Sequence, residues 1–356
     1  MNAASAHLAR LGATSRPTGS AAATEARGYC AAALQALGFA VVERPFEYSK
    51  FPGAYATPLA GVVIPLFALG LLFVPIHSRA YSASLLIAGV CVGLAFRYIG
   101  GRGVLDFPAF RRTGVNVEAV RGEEPAVWLV AHIDSKWQPV SMITRVLGVI
   151  TSSIGLLTLA VLSLVRTSGP DALWFGVFVV TCAGAIPLML SYVGDRNHGT
   201  LDNASGVAAI LEAAAMLPPE VRVGVLITDA EELALAGARA WARSRQPAIA
   251  LNCDSIDDDG LLTVMHSSPA PRQLLAAIDR ASRTTGEPLR VIRLIPGILT
   301  DHVALAGAGW RTVTLSRGTI RTLQRIHTAS DTLATMRGTG IAGAARVIAR
   351  TATELC

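Results

Sequence analysis

Apolar residues gather into four long runs, roughly Thr57 to Ile76, Ala80 to Phe96, Val146 to Val165 and Ala172 to Val193, and no charge interrupts any of them. Each approaches the ~20 residues that cross a bilayer as a helix, the second being the shortest. One such run alone would read as a buried core helix. Here they come as two pairs, each joined by a short polar connector, HSR or RTSGPD. That arrangement predicts two transmembrane hairpins, 57–97 and 144–193, and so about four transmembrane helices.

Outside the hairpins the periodicity changes. Ala21 to Leu37 has one apolar face and stops at Gly38, which predicts a helix. FAVVERPFEY, VNVEAV and AVWLVAHIDS read as strands, the last two joined by the polar turn RGEEP. Asn203 to Leu217 reads as a helix ended by Pro218 and Pro219. VRVGVLITDA follows as a strand, EELALAGARAWARS as a helix and AIALNCDSI as another strand. Alternation of this kind predicts an α/β fold with a mostly parallel, mixed central sheet flanked by helices. Each hairpin returns the chain to the side it left. The polar pieces, 1–50, 100–140 and 195–356, therefore form one discontinuous domain.

Composition sharpens this picture. Hydrophobic residues make up 52% of the 356 positions, and mean hydropathy is +0.47, which fits an integral membrane protein in contact with a lipid bilayer. The net charge of +6 comes from scattered arginines. No basic run is interleaved with aromatics, which argues against nucleic acid as a partner. Lys50, Arg97, Arg102, Lys136, Arg145 and Arg196 flank the spans on the domain side, whereas the connectors carry only Arg79 and Arg166. The positive-inside rule then places the domain in the cytoplasm. The N-terminal MNAASAHLARLGATSRPTGS has no apolar core of the kind a signal peptide needs. The five cysteines are far apart and form no CxxC, so neither a disulfide framework nor a thiolate zinc site is expected.

Candidate chemistry lies where apolar strands end. AHIDS brings His132 and Asp134 to one strand end, spaced to share a face. HGTLDNASGVA places Asp202 and Asn203 at the mouth of a helix, followed by small residues that let backbone approach a ligand. TDAEELALAG puts Glu231 and Glu232 after a strand, and LNCDSI ends another on Asp254. IHTASDT adds His327 and Asp331 late in the chain. Any one of these residues would pass as a helix cap or surface group. Together, His132, Asp202, Glu232, Asp254 and His327 offer three carboxylates and two imidazoles. Oxygen and nitrogen donors without thiolates suit zinc, with manganese or cobalt as substitutes. Five ligands exceed one open tetrahedral site and match two metal ions sharing a carboxylate. Glu231 is left over as the general base.

The ordered set AHIDS, GTLDNASGVA, DAEELALAG, LNCDS, TDHVAL and IHTASDT resembles the two-zinc aminopeptidase family of metallopeptidases, which includes bacterial leucyl aminopeptidases and glutaminyl cyclases. SRPTGSAAATEARGYCAAALQALGFAV is similar to that family's N-terminal helix and strand. The resemblance implies a phosphorylase/hydrolase-like α/β fold. It also implies that His132 and Asp254 bind one zinc ion, that Glu232 and His327 bind the other, and that Asp202 bridges them through a residue joined to Asn203 by a cis peptide. Glu231 would act as base, Asp134 would orient His132, and Asp301 and Asp331 would stand just behind the ligands. The implied substrate is a peptide or small amide that loses its N-terminal residue. The chain departs from the family in two ways. About seventy residues separate His132 from Asp202, where the family has a few tens, and no tyrosine stands near IRTLQRIHT. Two other readings remain open here: a glutaminyl-cyclase-like acyl transferase, and a catalytically weak membrane scaffold with a metal-binding domain.

Overall fold

The computed structural model describes residues 3–73, 79–166, 168–295 and 298–356. Residues 74–76 of the first predicted span, His77 and Ser78 of its connector, and Thr167 of the second connector lie outside them. The chain opens with α1 (Ala3–Leu11), α2 (Ala21–Ala36) and β1 (Ala40–Ser49). Next come α3 (Phe51–Gly70), α4 (Arg79–Gly100) and the short α5 (Gly103–Asp106). Strands β2 (Arg111–Arg121) and β3 (Val127–His132) precede α6 (Met142–Val165) and α7 (Ala172–Met189). The remainder runs α8 (Ser205–Met216), β4 (Val223–Thr228), α9 (Ala236–Ala242), β5 (Ile249–Ile256), β6 (Leu261–His266), α10 (Arg272–Thr285), β7 (Leu289–Arg293), α11 (Asp301–Gly307), β8 (Arg311–Gly318), α12 (Ile320–Arg325) and α13 (Ile341–Leu355).

The chain divides into two compact units, each discontinuous in sequence. The first comprises Met1–Tyr48, Arg112–Trp137 and Gly194–Cys356. Its sheet has eight strands in the order β1-β2-β4-β3-β5-β8-β6-β7. The central strands β4, β3, β5 and β8 are parallel, while β2 and β6 join them antiparallel. The sheet is thus mixed with a parallel centre, as the alternation of strands and helices predicts. Every residue of β3, β4 and β5 is buried, which explains their unbroken apolar runs. Trp128, Leu226, Trp241, Leu305 and Trp310 form a core cluster. Its indoles meet with ring centroids 4.7 and 4.8 Å apart, within the range favoured by aromatic pairs. Helix α8 lies against β3, β5 and α13. Gly206 on α8 sits where a Cβ would strike Asn203 Oδ1 and the Cys253 carbonyl, so this approach requires glycine.

The second unit comprises Ser49–Arg111 and Gln138–Val193. Among the described residues, three helical segments are long and apolar enough to cross a membrane: Phe51–Phe73, Met142–Val165 and Ala172–Met189, with mean hydropathies of 2.1, 2.1 and 2.0. Helix α4 has 22 residues, but its described apolar part, Leu86–Gly100, is shorter. Where four spans were expected, three therefore meet the criterion. The packing of α6 on α7 relies on small residues. A Cβ on Gly148 would lie 2.7 Å from the Gly184 carbonyl, and one on Gly184 would lie 2.8 Å from Ser152 N. Small residues let two helices approach closely. Trp174 Nε1 donates to Ser163 Oγ at 3.1 Å, so its polar atom is satisfied within the bundle.

Candidate active site

Because β4, β3 and β5 are parallel, their carboxyl ends share one edge, where ligand sites of open α/β sheets form. His132 is the last residue of β3, and Glu231 and Glu232 follow β4. Asp254 lies near the end of β5, beside a register shift between Cys253 and Ile256. Asp202 sits in the irregular turn before α8, and His327 in the loop after α12. All six side chains are buried, with 1–7% exposure.

They converge on one small volume. His132 Nε2 lies 3.1 Å from Asp202 Oδ1, and His327 Nε2 lies 3.1 Å from Asp202 Oδ2. One carboxylate thus spans two imidazoles. His327 Nε2 is also 3.0 Å from Glu232 Oε1. His132 Nε2 is 3.9 Å from Asp254 Oδ1 and 4.0 Å from Glu231 Oε2. Two groups of three donors result: His132, Glu231 and Asp254, and Asp202, Glu232 and His327, each with ligand atoms within 4.8 Å of one another. Here Glu231 joins the side that the resemblance gives to His132 and Asp254.

The supporting residues act on backbone more than on side chains. His132 Nδ1 donates to the Asp134 carbonyl at 3.0 Å, which orients the ring with Nε2 towards the cluster. The Asp134 carboxylate, expected to orient His132, lies 3.6 Å from its Nδ1 and also accepts from Glu231 N at 3.1 Å and Glu232 N at 3.2 Å. Asp331 accepts from Leu201 N at 2.6 Å and Asp202 N at 3.1 Å. Asn203 follows Asp202 through a cis peptide. Its Oδ1 accepts from Gly206 N and Ser255 N at 2.9 and 3.1 Å, and its Nδ2 donates to the Cys253 carbonyl at 2.9 Å. Asn203 therefore caps α8 and ties the Asp202 turn to the strand that carries Asp254. Asp301 Oδ2 accepts from Thr228 Oγ1 at 2.5 Å, while its Oδ1 is buried without a hydrogen-bond partner among the described residues.

Two expectations fail here. EELALAG was read as the start of a helix, but α9 begins only at Ala236. Ala230, Ala234 and Leu235 have φ of 56°, 71° and 62°, a left-handed region that breaks helix. The paired amides of Glu231 and Glu232 find their acceptor in Asp134, so a side chain holds the turn together with the backbone bond from Leu235 N to the Glu231 carbonyl at 2.7 Å. Lys136 was counted among the charges flanking a span. It is buried, and its Nζ lies 2.6 Å from Glu232 Oε2. The signal was present in its position: Lys136 directly follows HIDS, and the apolar run begins only at Val146.

Arg16 was also missed. It is buried, and its guanidinium donates to the carbonyls of Ile133 (2.9 Å), His198 (2.7 Å) and Gly199 (2.9 Å). It ties the end of β3 to the turn that carries Asp202. Nothing in SRPTGS distinguishes such an arginine from a solvated one.

The charges report on the same crowding. Burial pushes the Glu231 carboxyl well above the usual range, and the neighbouring Glu232 and Asp254 add to the rise against the pull of His132. Burial and the Asp202 charge raise Asp254 to about 7, and burial raises Asp301 to about 6. Burial opposes ionisation of Glu232 too, but His327 and Lys136 outweigh it and hold that carboxyl at about 2. Asp202 is held far below the usual range against its burial by hydrogen bonds with His132 and His327. Four carboxylates thus share a dry volume in which Lys136 is in contact with only one of them. Buried carboxylates so placed need further positive charge. His327 Nδ1 is also buried without a hydrogen-bond partner among the described residues. A donor set of carboxylate oxygens and imidazole nitrogens, with no thiol among the six, fits divalent cations of the zinc type.

Comparison with known proteins agrees with this geometry. Among curated protein sequences, none matches the chain. The fold is shared with the zinc aminopeptidase BSAP of Bacillus subtilis, at 12% identity over 99% of this chain and 94% of that one, with a TM-score of 0.58. It is shared with an aminopeptidase from Aneurinibacillus sp. strain AM-1, at 13% identity over 98% and 92% of the two chains, with a TM-score of 0.58. It is shared equally with the glutaminyl cyclase of Porphyromonas gingivalis, at 13% identity over 99% and 98%, with a TM-score of 0.57. The model of peptidase family M28 matches residues 115–352, a stretch that contains every one of the converging side chains, and the chain belongs to that family.

Proposed function

We propose that the chain is a membrane-anchored aminopeptidase that holds two zinc ions in this cluster. One observation carries the reading: the Asp202 carboxylate lies between two imidazoles, with one oxygen 3.1 Å from each. His132 and Asp254 would hold one ion, Glu232 and His327 the other, with Asp202 shared. Zinc bound there supplies Lewis acidity, polarising the scissile carbonyl and easing the deprotonation of water. The chain's own residues do the rest. Glu231, whose carboxyl is pushed towards a higher pKa by burial, accepts a proton from the water that attacks the carbonyl carbon. It returns that proton to the amide nitrogen as the C–N bond breaks, leaving a free amino acid and a shortened amine. Asp134 holds the Glu231–Glu232 turn, and Asp331 and Asn203 hold Asp202.

A panel of aminoacyl amides with free and acetylated amino groups tests this reaction. Release of the N-terminal residue from the free forms, and none from the acetylated forms, is the expected outcome. Conversion of glutaminyl amides to a cyclised product, without hydrolysis, would replace the peptidase with an acyl transferase. No turnover of any amide by the metal-loaded protein would favour a binding scaffold.

The apolar helices of the second unit are proposed to cross the bilayer, leaving the peptidase unit on the cytoplasmic side. With Lys136 assigned to the site, Lys50, Arg97, Arg102, Arg145 and Arg196 still outnumber Arg79 and Arg166 of the connectors. The chain should stay in the membrane pellet after alkaline carbonate extraction. Quantitative release into the supernatant would refute membrane insertion.

A further inference from the structure

The two histidines of the cluster are supported differently. His132 has a partner for its second ring nitrogen, the Asp134 carbonyl at 3.0 Å. His327 Nδ1 is buried without a hydrogen-bond partner among the described residues. A metal-binding imidazole is ordinarily oriented through that second nitrogen. Something else must place the His327 ring, and its backbone is unusual, with φ at 64° in the left-handed region that side chains rarely adopt.

The residues around His327 lead to Asp257. This residue is 4% exposed and lies three positions after Asp254, just past the end of β5. Its N–H donates to the Arg317 carbonyl at 3.0 Å, which anchors it on β8. Its Oδ2 accepts from Thr322 Oγ1 at 2.6 Å and from Arg325 Nη2, so it grips α12 at two points. Arg325 also donates from Nη1 to the Thr335 carbonyl at 2.8 Å. Its own carbonyl accepts from Thr328 N at 2.9 Å and Thr328 Oγ1 at 2.7 Å. The loop that carries His327 is thereby closed on both sides of the histidine, and Asp257 fastens the closure to the strand that supplies Asp254.

We infer that Asp257, acting through Arg325 and Thr322, is the positioning residue for His327 and takes the place of the missing partner on the imidazole. The inference rests on the two-ion reading of the site. Asp257 touches neither substrate nor metal. Its effect is confined to one half of the cluster, because His132 has its own hydrogen bond and lies on a different strand.

The test uses full-length protein in detergent, titrated with Zn²⁺ against a competing chelator and separately with Co²⁺ while visible absorption is followed. Asp257→Asn keeps size and a hydrogen-bond acceptor for Thr322 but loses the charge that grips Arg325. The control is Asp258→Asn, since Asp258 accepts from Arg337 N and Thr339 N at 2.7 and 2.6 Å and has no bond to α12 in this network. The expected result is one ion bound as tightly as in the unaltered protein and a second weakened by roughly 10–100-fold, the usual effect of losing an outer partner. The Co²⁺ spectrum at one equivalent should then match that of His327→Ala and differ from that of His132→Ala. The Asp258→Asn affinities should stay unchanged, and a lowered metal-free midpoint in Asp257→Asn should leave the affinity for the first ion untouched. Equal weakening of both ions, or a lowered metal-free midpoint with no loss specific to one ion, would make Asp257 merely structural. Two unchanged affinities would overturn the inference and leave the two-ion reading intact. A failure of the unaltered protein to bind two ions would overturn that reading as well.

Discussion

Glu231→Gln keeps its metal and loses its turnover: hydrolysis should fall by roughly 10²–10⁴-fold, the usual contribution of a general acid–base group. That loss corresponds to about 3–5 kcal/mol of transition-state stabilisation. Glu231 Oε2 faces the cluster 4.0 Å from His132 Nε2, much as Asp254 Oδ1 does at 3.9 Å, so its chemistry rather than its distance sets this expectation. Its carboxyl is also pushed upward by burial and by Glu232 and Asp254, which makes it a better proton acceptor than an ordinary glutamate. Glutamine preserves shape and removes the basic oxygen. Parallel metal analysis separates base from ligand, because Glu231 also belongs to the donor group of His132 and Asp254. Loss of one ion along with activity would assign Glu231 as a ligand instead.

Asp202→Ala should have the broadest effect of any single change, abolishing tight binding of both ions at once. Its two oxygens serve the two histidines, and its carboxyl is held in the charged form by both of them. The loss should exceed the roughly 10–100-fold that follows removal of an outer partner. His132→Ala and His327→Ala should each weaken mainly one ion. Equilibrium titration of the three variants checks this directly. An Asp202→Ala protein that still bound one ion with unchanged affinity would rule out a shared carboxylate.

Strand-end residues were the most readable part of the site. His132, Glu231, Glu232 and Asp254 each follow an unbroken apolar strand, and burial of a parallel sheet on both faces produces that pattern locally. Asp202 and His327 lie in turns; the small residues after Asp202 marked it, while His327 stood out only within the joint set. The geometry of the turns themselves was hidden. The left-handed residues around Glu231 and Glu232 answer to the Asp134 carboxylate, nearly a hundred positions earlier in the chain. Arg16 was missed for a related reason, since a buried cation looks like a surface one until its partners are known, whereas the place of Lys136 directly after HIDS was a signal left unused. The C-terminal elements from β6 onward were largely unread, although α13 carries a clear apolar face and buries Ile341, Val347 and Ile348.

The most direct measurement of the central claim is the number of zinc ions held per chain by detergent-purified, full-length protein at equilibrium. Two ions in the unaltered protein, and none in a His132→Ala/His327→Ala double variant that still folds, is the predicted result. Binding of fewer than one ion, or zinc content indifferent to loss of both histidines, would contradict the metal centre on which the proposed hydrolysis depends.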